Sequence, residues 1–143
     1  MTDFHRLSPD MLASPQIEPG DLGKARSEGV TLVVNNRPDG EDPDAPQSAE
    51  IEKAARELDL AYLYLPVTHS GISAAQIDTL AESLAKADGK TLAYCRSGTR
   101  STMLWALARV KGGAAPDDIS RAAAEAGYDL SPIRPMMDML ATR

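Results

Sequence analysis

Only one cysteine, Cys95, stands among the 143 residues. An intramolecular disulfide is therefore excluded, as is a cluster of thiolates around a metal, and a reducing, cytoplasmic setting is the expectation. Aromatic residues are scarce, with one Trp, one Phe and four Tyr, so the core must be built mainly from Leu, Val, Ile and Ala. Positive charge is in deficit. A net charge of −6 leaves no broad basic field for a nucleic acid or an anionic membrane surface. No apolar run approaches the roughly 20 residues that a membrane helix needs. The opening Met1-Thr-Asp-Phe-His-Arg lacks the basic-then-apolar order of a signal peptide. No cofactor and no metal are expected.

What is present is an alternation of short apolar runs and amphipathic stretches, the pattern of a mainly parallel sheet flanked by helices in an α/β fold. The strand candidates are Val30-Thr-Leu-Val-Val34, Ala61-Tyr-Leu-Tyr-Leu65 and Thr91-Leu-Ala-Tyr-Cys95, with a weaker pair around Phe4–Leu7 and Met11–Ile17 as an edge hairpin. Ser48 is expected to cap a helix whose apolar residues are Ile51, Ala54, Ala55 and Leu58. Ser73 and Gln76 have capping-box spacing ahead of Ile77, Leu80 and Leu84, with Gly89 closing that helix. A helix from about Ser101 to Lys111 presents Met103, Leu104, Leu107 and Val110 on one wide face, and Gly112-Gly113 ends it. A weak helix over Glu18–Glu28 and two short C-terminal helices opened by Pro116 and near Pro132 complete the reading. The Pro-, Gly- and Asp-rich stretch Arg37–Gln47 is a loop. With no repeat, low-complexity tract or boundary, residues 1–143 are expected to form a single domain.

The chemistry concentrates at Tyr94-Cys95-Arg96-Ser97-Gly98-Thr99-Arg100-Ser101, where a buried strand ends and a helix begins. Backbone N–H groups at such a junction have no partner within the helix, and with the helix dipole they favour an anion. Gly98 lets the backbone curl, Arg96 and Arg100 offer guanidinium groups to an oxyanion, and Ser101 is a candidate donor to the sulfur. Each of these favours thiolate over thiol at Cys95. The bland alternative, a small buried hydrophobe at a strand end, fits the cysteine alone but not its loop. Cys95 and Arg100 are thus the catalytic candidates. Arg96, Ser97, Gly98, Thr99 and Ser101 are the candidates for substrate binding.

The loop Cys-Arg-Ser-Gly-Thr-Arg-Ser resembles the active loop of single-domain rhodaneses, which carry sulfane sulfur as a cysteine persulfide. From about Phe4 to Lys111 the chain resembles the beta-lactamase-hydrolase-like family, whose domain has the fold of cysteine-dependent phosphatases. Val33–Glu41, Leu65–Ile72 and Ala93–Ser101 carry that resemblance. In some of these proteins the domain is fused to a persulfide dioxygenase of the metallo-β-lactamase type, which the resemblance implies as a partner.

Two departures from the phosphatase pattern set the expected reaction. Phosphatases of this fold have five residues between cysteine and arginine, whereas four separate Cys95 from Arg100. The loop after Ala61–Leu65 carries Thr68-His69-Ser70 where such phosphatases commonly place an Asp acid. A phosphate ester leaves as an alkoxide that benefits from a proton, whereas sulfite or a thiolate leaves unaided. The leading expectation is therefore a sulfurtransferase. Cys95 would take sulfur from a small anionic donor and pass it to an external thiol, sulfite or cyanide. A phosphomonoester hydrolase working through phosphocysteine is the alternative enzyme, and a silent anion-binding module the non-enzymatic one.

His69 reads either as an acid–base or substrate contact or as a surface loop residue. Arg37, beside Asn35 and Asn36, reads either as a residue of the pocket rim that binds substrate or as part of a polar turn. Asp39, Glu41, Asp42 and Asp44 read as a solvated loop, with a remote Asp acid from this cluster kept open. Trp105 reads as packing, and His5 carries no pattern.

Overall fold

The computed structural model describes residues 2–142. Five strands form one sheet in the order β1-β2-β5-β3-β4: His5–Ser8 (β1), Met11–Ser14 (β2), Val30–Asn35 (β3), Ala61–Tyr64 (β4) and Lys90–Tyr94 (β5). β1 and β2 form the antiparallel edge hairpin, and all other neighbours run parallel. The helices are Asp21–Ser27 (α1), Ser48–Glu57 (α2), Ala74–Lys86 (α3), Thr99–Lys111 (α4), Pro116–Glu125 (α5) and Arg134–Ala141 (α6), with a 3-10 turn at Ser131–Ile133. This is the α/β class that the alternating pattern requires.

Strand alternation sends side chains into two cores. Leu32, Val34 and Ala93 face α3 to α6, while Val30, Val33, Leu92 and Tyr94 face α1 and α2. Ala93 is small, which lets α4 lie close above the centre of the sheet. Leu104, Trp105, Ala106 and Leu107 are all buried, since α4 packs on the sheet and against α3, α5 and α6. The single apolar face expected for this helix is therefore too narrow a description. It is enclosed on nearly every side, and Trp105 is packing.

Several boundaries shift for reasons of hydrogen bonding. Ser48 is the first residue of α2 rather than its cap. Its N–H is satisfied by Asp39 Oδ1 at 2.8 Å and its hydroxyl meets Tyr62 Oη at 2.6 Å, so a carboxylate nine residues upstream does the capping. The Ser73–Gln76 capping box forms as expected. α3 stops at Lys86, short of Gly89, whose role is close approach: a Cβ there would lie 2.7 Å from the Gly29 carbonyl. α1 is only seven residues long.

The topology decides where chemistry can occur. β4 is followed by a crossover back over β3 to β5, so the chain reverses direction across the sheet. Loops leaving the carboxyl ends of β3, β4 and β5 therefore converge at one switch point, where open α/β sheets bind ligands.

Candidate active site

Asn36 ties the three loops together. Its N–H donates to the Tyr94 carbonyl at 2.8 Å, and its carbonyl accepts from Val67 N–H at 2.9 Å. Its side-chain amide donates to the Leu65 carbonyl at 2.8 Å, while Oδ1 accepts the Ser101 hydroxyl at 2.8 Å. All four groups are used up in structure, which is why Asn36 is buried without penalty.

Cys95 follows β5 and is fully buried at the base of the junction. Its backbone N–H bonds to the Ser14 carbonyl, which aligns the loop with β2. The Sγ atom accepts the Gly98 N–H at 3.1 Å. Gly98 adopts φ +95°, a left-handed conformation that opens α4 and turns the loop back over the sulfur. The sulfur thus lies at the positive end of the α4 dipole.

Arg100, in the first turn of α4, reaches across this junction. Its guanidinium bonds Glu41 through both terminal nitrogens, at 2.8 and 2.7 Å, and the Val67 carbonyl at 2.8 Å. Glu41 first, and the nearby Cys95 sulfur behind it, hold Arg100 even more firmly protonated than usual. Arg37 completes the network, donating to Glu41 at 2.9 Å and to Gln16 Oε1 at 3.0 Å. Hydrogen bonds from Arg100 and then Arg37 pull the Glu41 carboxyl down to about 2, against desolvation. Glu41 is therefore an anion at any working pH.

A groove of about 600 Å³ lies over this cluster, formed by Pro38 to Glu41, Thr68-His69, Arg96 and Arg100. Arg96 and His69 are exposed on its walls. The expected site residues are thus only partly brought together. Arg37 is nearly buried behind Glu41 and is not among the residues that line the groove, its guanidinium held by Glu41 and Gln16. Ser101 gives its one hydroxyl proton to Asn36, so the donor seen at the sulfur is the Gly98 amide and not Ser101. Ser97 donates its hydroxyl proton to Thr99 Oγ1 at 2.9 Å, which leaves both hydroxyls on the outer side of the loop turn.

In the sequence Glu41 is one more carboxylate of a loop rich in them, and no local signal distinguishes it from Asp42 or Asp44. Glu41→Gln is expected to lower stability at neutral pH by about 1 kcal/mol, the scale of a partly exposed bidentate pair. A carboxyl lowered by folding stabilises most above its unfolded value of 4.5, and that contribution is lost as pH falls towards 2. Thermal unfolding of the two proteins should therefore differ at pH 7 and converge near pH 2. A gap that persists in acid would show that Glu41 acts through shape instead of charge.

A thiol at the end of the central parallel strand, an arginine in the helix that follows and a loop curled between them make an anion-binding thiol site, and the solved structures that share this fold include cysteine-dependent phosphatases. Residues 3–112 match the family model of the beta-lactamase hydrolase-like protein, phosphatase-like domain, and the chain belongs to that family. The beta-lactamase hydrolase-like protein of Xylella fastidiosa is 39% identical over 103 residues, which is 71% of this chain and 24% of that protein. The chain thus spans about a quarter of the length of the curated relatives it matches. A solved protein of Neisseria meningitidis, assigned as a phosphatase, is 30% identical with a TM-score of 0.83, covering 95% of this chain and 96% of its own. The kinase-associated phosphatase, solved with its catalytic-site cysteine replaced by serine, shares the fold at 16% identity and a TM-score of 0.73, covering 100% of this chain and 97% of its own.

These findings overturn the expectation of sulfur transfer. The family match over residues 3–112 and a solved relative over 95% of the chain are of phosphatase type, whereas the rhodanese likeness rests on seven residues of one loop. Any enzyme that carries an anion on a thiolate needs a cysteine in a ring of amides beside arginine, so that motif does not separate the two reactions. The expected sulfur donor, the thiol, sulfite or cyanide acceptor and the persulfide dioxygenase partner lose their support with it. Among the described residues, no helix is long and apolar enough to cross a membrane.

Proposed function

We propose that the chain hydrolyses phosphate monoesters through a phosphocysteine at Cys95. The observation that carries this reading is the buried Cys95 sulfur, held by the Gly98 amide at 3.1 Å and close to Arg100, which with Arg96 lines the neighbouring groove. The family match and the catalytic-site cysteine of a phosphatase with the same fold support it.

In this reading the phosphoryl group sits at the positive end of α4, with Arg100 turning the donors that Glu41 and Val67 leave free to the charge that builds in transfer. The Cys95 thiolate attacks phosphorus and the ester P–O bond breaks. The leaving oxygen takes a proton from His69, which stands on the groove wall after β4. Glu41 is excluded from that task because it holds no proton. Water then attacks the phosphocysteine and gives a proton back to His69; phosphate departs and the thiolate is restored.

The test is to incubate the protein with p-nitrophenyl phosphate, quench it in acid and weigh the intact chain. Nitrophenol release, with one phosphoryl group added at Cys95, is the expected result. Turnover without modification of Cys95, or no turnover of any phosphate monoester, rejects the reading.

A further inference from the structure

The loop that bears the nucleophile contains a peptide that glycine leaves free to rotate. Ser97 C=O and Gly98 N–H belong to one planar unit and point in opposite directions. Gly98 adopts positive or negative φ at similar cost, so the backbone does not itself decide which way this N–H points. In the structure the N–H faces the Cys95 sulfur.

On the other side of the same peptide lies Tyr128, in the turn after α5 and beyond residues 3–112 of the family match. Its hydroxyl donates to the Ser97 carbonyl at 3.1 Å and lies 2.8 Å from His5 Nδ1. The phenol is buried against the loop so closely that a Cβ on Gly98 would fall 2.1 Å from its oxygen. Burial first, and the charge of Cys95 second, push its ionisation up to about 12, so the hydroxyl keeps its proton. A phenol has one proton to give. With that proton on the Ser97 carbonyl, the His5 contact is made by the tautomer that carries its proton on Nδ1 and donates it to the phenol oxygen. His5 stands on β1, its ring tilted 46° to that of Tyr128 with centroids 5.5 Å apart.

We propose that Tyr128, oriented by His5, is a positioning residue that locks the Ser97–Gly98 peptide with its N–H on the Cys95 sulfur. The inference rests on reading Cys95 as the nucleophile. Flipping the peptide would break the Tyr128 bond and the Gly98 bond together, so the hydroxyl holds in place a donor that it never touches.

The test compares the full-length chain with Tyr128→Phe, His5→Ala and His5→Asn. Three quantities are read: the rate of Cys95 alkylation by iodoacetamide at neutral pH, the ultraviolet absorbance of the thiolate, and thermal unfolding. Tyr128→Phe should slow alkylation roughly tenfold and reduce the thiolate absorbance, with cooperative unfolding retained, because a bond to a charged group is weakened. His5→Ala should show part of the loss. His5→Asn, whose side-chain amide can donate from about the place of Nδ1, should recover it. Wild-type alkylation in Tyr128→Phe overturns the proposal. If that variant does not fold, equal rates in His5→Ala and His5→Asn overturn it instead. None of these readouts needs a substrate. A protein that hydrolyses no phosphate ester would end the phosphatase reading and leave this one standing, and unchanged alkylation would do the reverse.

Discussion

Cys95→Ser is expected to lose essentially all hydrolysis of p-nitrophenyl phosphate, about four orders of magnitude or more, and to fold normally. Serine has nearly the same shape and can accept the Gly98 N–H in place of sulfur, so the buried site creates no cavity and no orphan donor. Its hydroxyl does not ionise near neutrality, and the hydrogen bond seen at that position comes from the Gly98 amide, a donor that cannot take its proton. The phosphoenzyme therefore cannot form, and removing a nucleophile is among the most costly single changes an active site can undergo. Steady-state kinetics and thermal unfolding check the two halves of the claim. Retained turnover would move the nucleophile elsewhere. Loss of cooperative unfolding along with activity would instead make Cys95 a packing residue.

Arg100→Lys should cost about 10²-fold in kcat/KM, most of it in kcat, with the fold retained. Lysine keeps the charge, so Glu41 still has a cation to face. It cannot reproduce the fork that now reaches Glu41 through two nitrogens and the Val67 carbonyl through one of them. A phosphoryl group in transfer spreads its charge over three equatorial oxygens, and a point charge covers them less well than a planar fork. Kinetics of the variant with one aryl phosphate settle it. A lysine that works as well as arginine would make Arg100 a structural tie between α4 and the Glu41 loop, and Arg96 would become the better partner for the anion.

The strands and helices were legible because their signals are local. The short apolar runs Val30–Val34 and Thr91–Tyr94, and the Ser73–Gln76 pair at the start of α3, each specify structure within a few residues. The cap of α2 was misplaced because Asp39, nine residues away, supplies the acceptor that Ser48 was expected to be. The reaction was misread for a related reason. The four-residue spacing from Cys95 to Arg100 and the missing Asp after β4 are local facts, and they were weighed above a resemblance running along most of the chain. Tyr128 and His5 could not be found at all, since nothing in either neighbourhood refers to Cys95.

By itself the sequence determined the α/β class, the switch from strand to helix at Cys95 and the anion-seeking character of the loop between them. These follow from side-chain period, glycine and the unpaired amides of a helix start, all set within about ten residues. Only the tertiary structure decided that Glu41 faces Arg100, that Arg37 stands behind it, that Asn36 binds three loops and that Tyr128 clamps the nucleophile's peptide. Those contacts join residues up to 65 positions apart, and the Tyr128 hydroxyl meets Ser97 across 31. Distant polar groups pair only after the sheet and α4 have packed, because the core that closes such loops is apolar and says nothing about which charges will meet at its edge.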